Sequence, residues 1–302
     1  YSGRAGERLG RLIHQLYDQA ARGELPQAHA TFSHAEANFW AFLDPRRPCR
    51  KAREDEAVSP AGEIATFLPK VLAAVDRLGD AALAAELGTA ACRRVGDVRG
   101  EAATLNAAGE IATRRARLVD ARTAHDTAIS LAHTIGDRQC EANARLGLGE
   151  VALREGRLVD ATIAYEAALS LYQASGDRLG QANTRLSQGE LAQRAGNLAD
   201  VRLAYASALS LFQEIGDHLG EANTRLAQGM LAVRERRLTE ARQAFTDALS
   251  ICQGLGERLG EANARLAIGR LAESEGRLPD ARIMLRAALH LFQTVGDLRG
   301  EA

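Results

Sequence analysis

The sequence predicts an all-α array of stacked antiparallel helix pairs, and three observations carry that reading. First, a forty-residue unit recurs. Residues 176–215 read GDRLGQANTRLSQGELAQRAGNLADVRLAYASALSLFQEI, and 136–175 and 216–255 are close copies. A Gly-acid pair marks the period without a slip, at Gly96-Asp97, Gly136-Asp137, Gly176-Asp177, Gly216-Asp217, Gly256-Glu257 and Gly296-Asp297. A fixed period of this length is the signature of stacked supersecondary units. Second, each unit carries apolar residues at helical spacing, as in Ala161, Tyr165, Ala168, Leu169 and Tyr172. Third, no stretch alternates as a strand would.

Composition agrees. Of the 302 residues, 46% are apolar and 25% charged, which is ordinary for a soluble fold. Aromatics are only 4%, so alanine and leucine carry the packing and favour close-packed helices over a sandwich or barrel. The net charge of −1 provides no global field to recruit nucleic acid or an anionic membrane. Nearly every basic residue is arginine; Lys51 and Lys70 are the only lysines. Cys49, Cys92, Cys140 and Cys252 are singletons without metal-type spacing. Cys252 fills the slot of Tyr172, Phe212 and Phe292 and reads as a buried apolar filler. A reducing, cytoplasmic setting fits best, since no run approaches a membrane span and the first residues lack a signal-peptide core. The chain opens on Tyr1 and stops six residues into a new repeat, which reads as a piece of a longer polypeptide.

In order, residues 1–43 read as a diverged helix hairpin in which Gly23, Leu25, Ala28, Phe32 and Ala35 echo Gly196, Leu198, Val201, Tyr205 and Ala208. Residues 44–58 hold two prolines and a dense charge run. They read as a solvated loop, with a basic grip on an acidic partner as the second reading. Residues 59–96 form an irregular hairpin. Pro69 stands in the column of Gly109, Gly149, Gly189, Gly229 and Gly269, where a break or kink is expected. Five regular units fill 97–296, and 297–302 begin another. In each unit the acid after the glycine caps the first helix. A second glycine (Gly156, Gly196, Gly276) or Arg236 ends that helix, and a leucine opens the second.

The columns Gly189, Gly196, Leu198, Val201, Tyr205 and Ala208 resemble the tetratricopeptide repeat. The match is loose before residue 97 and tight after it. Two departures stand out: the period is forty instead of thirty-four, and Arg145, Arg185, Arg225 and Arg265 replace a bulky residue early in the first helix. The long period is similar to kinesin light chain and Pins-type arrays, and to the C-terminal arrays of bacterial signal-transducing NTPase regulators. The resemblance implies a right-handed superhelical solenoid whose first helices line a concave groove that binds peptide segments of other proteins.

Recurring polar residues off the packing columns are the candidate groove residues. Asn143, Asn183, Asn223 and Asn263 recur one turn into the first helix. Four residues on, the same face carries Gly147, Ser187, Ala227 and Ala267; seven on, Glu150, Glu190, Met230 and Arg270; eleven on, Arg154, Arg194, Arg234 and Ser274. In the first regular unit Ala103 takes the asparagine place while Glu110 and Arg114 continue the stripe. An asparagine both donates and accepts, so it can pair with a peptide backbone of any sequence. The small residues are expected to leave room for that backbone, and the arginines to fork onto carboxylates. The other reading of the ladder is bonding to a neighbouring helix, or inheritance through duplication. The early arginines read as ion pairs with nearby carboxylates.

No phosphate loop or dinucleotide fingerprint occurs. His29 and His34 are five apart, off the spacing of two ligands on one helix face, and His125 stands in the ring column of Tyr165 and Tyr205 as a core substitution. The expectation is a non-catalytic scaffold with no metal or cofactor, holding a protein or peptide partner and neither nucleic acid nor membrane. Two alternatives stand beside it. One is a sensor or autoinhibitory arm acting on other domains of its own polypeptide; the other is self-assembly through the open C-terminal repeat.

Overall fold

A computed structural model of the chain describes residues 12, 15, 67–70, 72 and 78–295. Most of the hairpin at 1–43, the loop at 44–58, much of 59–96 and the stub at 297–302 lie outside the described residues, as do Cys49, His29 and His34. Residues 67–70, Pro69 among them, are helical, and the turn before Pro69, where a kink or break is expected, lies outside the described residues. Eleven helices follow among the described residues: α1 Leu78–Val95, α2 Val98–Arg114, α3 Leu118–Thr134, α4 Arg138–Arg154, α5 Leu158–Ser175, α6 Arg178–Ala195, α7 Leu198–Ile215, α8 His218–Arg234, α9 Leu238–Leu255, α10 Arg258–Ser274 and α11 Leu278–Val295. None of the described residues is in a strand. The forty-residue units are therefore helix pairs, from α2 with α3 through α10 with α11.

The chain divides into two compact units, Tyr1–Gly180 and Gln181–Ala302. In the first, α1 packs on α2, α2 on α3, α3 on α4 and α4 on α5, while the first helices α2 and α4 also touch directly. The second repeats the scheme: α7 on α8, α8 on α9, α9 on α10, α10 on α11, with α8 against α10.

Two ring contacts set these helix angles. Within a unit, a ring midway along the second helix lies on a glycine of the first. A Cβ added at Gly189 would fall 2.2 Å from Tyr205 Cε1, and Gly109, Gly149, Gly229 and Gly269 stand the same way to His125, Tyr165, Phe245 and Leu285. Between units, the residue near the end of the second helix packs across the turn onto the start of the next first helix. A Cβ at Gly220 would meet Phe212 Cδ1 at 2.3 Å. Sizes compensate at this second contact. Where Cys140 replaces the glycine, the facing residue shrinks to Ala132, and the two share a buried cluster with Ala102.

The helix ends follow local chemistry. Asp97, Asp137, Asp177 and Asp217 accept from the backbone N–H three residues on, at 2.8, 3.0, 2.9 and 3.0 Å, satisfying donors the helix leaves unpaired. Glu257 does so for Leu259 and Gly260. The turns inside the pairs need a left-handed residue, which Gly156, Gly196 and Gly276 supply, whereas Ala116 and Arg236 adopt φ of 57° and 59°. For a residue with a Cβ that conformation costs about 1–2 kcal/mol. Replacing Arg236 by glycine should therefore stabilise the protein, by about 1 kcal/mol once the greater freedom of the unfolded glycine is deducted. Urea unfolding of Arg236→Gly measures this, and a loss of stability would refute it.

A run of ion pairs ties neighbouring helix pairs on the loop side. Arg122 donates to Glu155 Oε1 at 2.5 Å, Arg202 approaches Glu235 at 2.8 Å and Arg242 donates to Glu275 at 2.6 Å. Each glutamate also takes the arginine two residues on, namely Arg157, Arg237 and Arg277. Those arginines, and behind them Arg122, Arg202 and Arg242, hold the three carboxyls below the usual carboxylate range. The carboxylates are covered by their arginines yet lie at the protein's edge, so screening keeps each pair a small stabiliser. Because the folded form binds these protons less readily, their contribution is present above the usual carboxylate range and lost as pH falls through and below it. The triple variant Glu155→Gln/Glu235→Gln/Glu275→Gln should be less stable than the parent at about pH 7, and the gap should narrow as pH falls below the usual carboxylate range. A gap that stays constant across that range would contradict the assignment.

Candidate peptide-binding face

Most of the long side chains of the polar stripe reach solvent. In the first unit, Glu110 and Arg114 on α2 and Glu150 and Arg154 on α4 are exposed, while Asn143 is half-buried. Arg154 pairs with Glu150 on its own helix, Nη2 to Oε1 at 2.9 Å. The Asn143 Oδ1 accepts from the Tyr172 hydroxyl at 2.6 Å, so at this position the bonding to a neighbouring helix is realised. In the second unit the counterpart residues of Tyr172 are Phe212, Cys252 and Phe292, none of which carries a hydroxyl.

In that second unit Asn183 on α6, Asn223 on α8 and Asn263 on α10 are all exposed. So are Glu190, Met230, Arg270, Arg194 and Arg234, and Met230 is 52% exposed in spite of its apolar chain. The Tyr205 hydroxyl, which donates to Gln193 at 3.2 Å, is pushed up to about 12 chiefly by burial, with Glu190 raising it and Arg234 lowering it. Glu190 of α6 and Arg234 of α8 thus act on one surface.

The small column is corrected by the structure. Gly147, Ala227 and Ala267 do not line an open channel. A Cβ on Gly147 would lie 2.3 Å from His125 Cε1, Ala227 packs against the Tyr205 cluster and Ala267 against the Phe245 cluster. His125, Tyr205 and Phe245 are therefore each held between their own glycine and the small residue of the following repeat, and there the column serves packing.

The early arginines pair as expected: Arg145 with Glu141 at 2.6 Å, Arg225 with Glu221 at 2.8 Å and Asp247 at 3.0 Å, and Arg265 with Glu261. Arg185 donates to Gln188 Oε1 at 3.1 Å. Cys92, Cys140 and Cys252 are buried and form no disulfide. Burial pushes the Cys140 thiol up to about 12 and that of Cys252 to about 11, which keeps both protonated and unreactive. No group of three or more metal-ligating side chains gathers among the described residues, and no helix there is long and apolar enough to cross a membrane.

One constellation escaped the sequence reading. His125 is fully buried and its Nδ1 lies 2.9 Å from Asn106 Oδ1. The Asn106 side chain, 3% exposed, passes its Nδ2 to Glu110 Oε1 at 3.0 Å. A buried polar pair thus ends on an exposed carboxylate of the stripe.

No family model matches the chain, and no curated protein matches it in sequence. Its fold is matched by solved structures. The apo form of RapI aligns with a TM-score of 0.65 at 12% identity, covering 94% of this chain and 97% of that one. The Rap conjugation gene regulator of plasmid pLS20, in complex with the Phr* peptide, gives 0.59 at 12% identity over 97% and 77%. A signal transduction ATPase with a tetratricopeptide repeat sensor from Pyrococcus horikoshii gives 0.60 at 14% identity over 95% of this chain and 43% of that chain. The fold is that of a tetratricopeptide-type array of antiparallel helix pairs.

Proposed function

We propose that the chain is a non-catalytic interaction scaffold whose first-helix faces hold a segment of a partner protein. One observation carries the reading: Asn183, Asn223 and Asn263 stand exposed at the same position on α6, α8 and α10, each flanked by exposed side chains of differing chemistry. Repetition every forty residues offers amide groups to a partner's backbone, while Glu190, Met230 and Arg270 differ from helix to helix and select among its side chains. The pLS20 Rap regulator, with the same fold, was solved with a peptide bound, which supports the reading without naming this chain's ligand. A second reading has support from the Pyrococcus horikoshii ATPase, where an array of this fold is the sensor of a larger protein. In that case the held segment belongs to the chain's own polypeptide, and the face used is the same. Assembly through the C-terminal repeat rests on residues outside those described.

Phage-displayed random dodecamers selected on the protein supply the probe. Replacing Asn183, Asn223 and Asn263 together by alanine removes three hydrogen-bonding groups, each worth about 0.5–1.5 kcal/mol. The selected peptides should then bind at least about tenfold more weakly, with thermal stability unchanged. Undiminished binding would refute the assignment.

A further inference from the structure

The column of His125 otherwise holds Tyr165, Tyr205, Phe245 and Leu285, and that of Asn106 holds Leu146, Leu186, Leu226 and Leu266. Of the five ring-column residues only His125 can gain a proton between neutral and mildly acid pH. Its side chain is fully buried on α3, with α2 on one side and α4 on the other. A Cβ added at Gly109 of α2 or at Gly147 of α4 would lie 2.5 Å from its Nε2. The imidazole therefore sits in the joint where the first regular repeat meets the second.

That joint accepts the neutral ring and has no place for the charged one. Asn106 donates from Nδ2 to Glu110 at 3.0 Å, so its oxygen faces the ring, and His125 donates to it from Nδ1 at 2.9 Å. An added proton would go to Nε2, which is buried without a hydrogen-bond partner. There it would place both a donor and a charge against glycine backbone, with nothing to receive either. No charged group on the three helices bonds to the ring. Glu110 and Arg114 of α2, Asp126 of α3 and Glu150 and Arg154 of α4 are exposed, and Arg122 of α3 is held by Glu155. Burial accordingly lowers the imidazole from 6.5 to about 4. An opened joint lets water reach the ring, which is then protonated below its ordinary value. The stability that the neutral ring supports is therefore present above pH 6.5 and lost as pH falls from there toward 4. Glu110, raised by burial with Lys70 opposing, binds its proton more readily when folded and so works in the opposite sense.

We propose that His125 is an acid-sensitive catch built into the joint between the first two regular repeats, and that its protonation opens α3 from α2 and α4. The repeats that carry Tyr205, Phe245 and Leu285 at this place have no such catch, so the opening is local to one end of the regular array.

The test is hydrogen–deuterium exchange at pH 7 and pH 5, corrected for the intrinsic pH dependence of amide exchange, on the parent, His125→Tyr and His125→Gln. Tyrosine is the residue of the next two repeats and here would face two glycines, so it has room. Glutamine can still donate to Asn106 and has no proton to gain. Each form is referred to its own value at pH 7, so a change in overall stability drops out, and Glu110 is common to all three. In the parent the opening constant of α3 should rise about twentyfold from pH 7 to pH 5, as a shift from 6.5 to about 4 requires. In both variants it should hardly change, and α8–α10 should hardly change in any form. No rise in the parent, an equal rise in the variants, or a rise in α8–α10 as large as that in α3 overturns the proposal. The measurement needs no ligand, so its outcome is separate from that of the scaffold reading.

Discussion

A ring packed against a glycine is the contact on which the rest of this structure depends. Tyr205 over Gly189 and Phe245 over Gly229 bring paired helices closer than any side chain on the first helix would allow. The small residue of the following unit then closes the other side of the ring, as Ala227 does for Tyr205. Because interiors are packed to crystal-like density, Tyr205 and Phe245 each fix two helix contacts at once, within their own pair and to the next. The Phe212–Gly220 contact across the turn obeys the same rule of complementary size, and the Ala132 and Cys140 pair shows it in inverted form. Repetition of these contacts builds each unit.

Packing of this kind uses one side of the first helix and leaves the other free to vary. The stripe of Asn223, Met230 and Arg234 on α8 is exposed, while Leu226, Gly229 and Leu231 between them are buried. A variable polar face on that side therefore costs the array nothing in its core. At Asn106 and His125 the core holds a buried polar pair, and there a stripe residue is held from below. The arginine–glutamate ties on the loop side are a separate layer. They lie at the surface and reinforce an alignment that the rings set.

The period, the helix pairs, the caps and the turn glycines were legible in the sequence because each depends on residues within a few positions of one another. Asp217 caps α8 through a bond to Gly220, three residues away. The ring column was equally plain, and His125 was placed correctly in it. What the sequence hid was partnership across helices. The small column of Gly147, Ala227 and Ala267 shares its helix face with the asparagines and reads as groove floor, but those residues face rings about twenty positions earlier. Arg242 and Glu275 are in different columns, 33 residues apart, so no spacing rule joins them. Asn143 looks identical to Asn183 and Asn223 until Tyr172 is seen to donate to it. His125 read as a core substitution and Asn106 went unread, and only their contact shows a connected pair.

The dependence on size-matched rings can be tested where the chain itself contains both versions. Phe212→Ala and Gly220→Cys together would install in α7 and α8 the pairing found at Ala132 and Cys140. Alone, Phe212→Ala leaves a void and should cost about 3–5 kcal/mol, and Gly220→Cys drives a side chain into the ring and should cost about 1–3 kcal/mol. Urea unfolding of the parent, both single variants and the double closes the cycle. If ring and glycine form one unit, the double variant is more stable than the summed losses predict, by at least about 1 kcal/mol. Strict additivity would mean that the two residues contribute independently, and the account of how the array is held would fail.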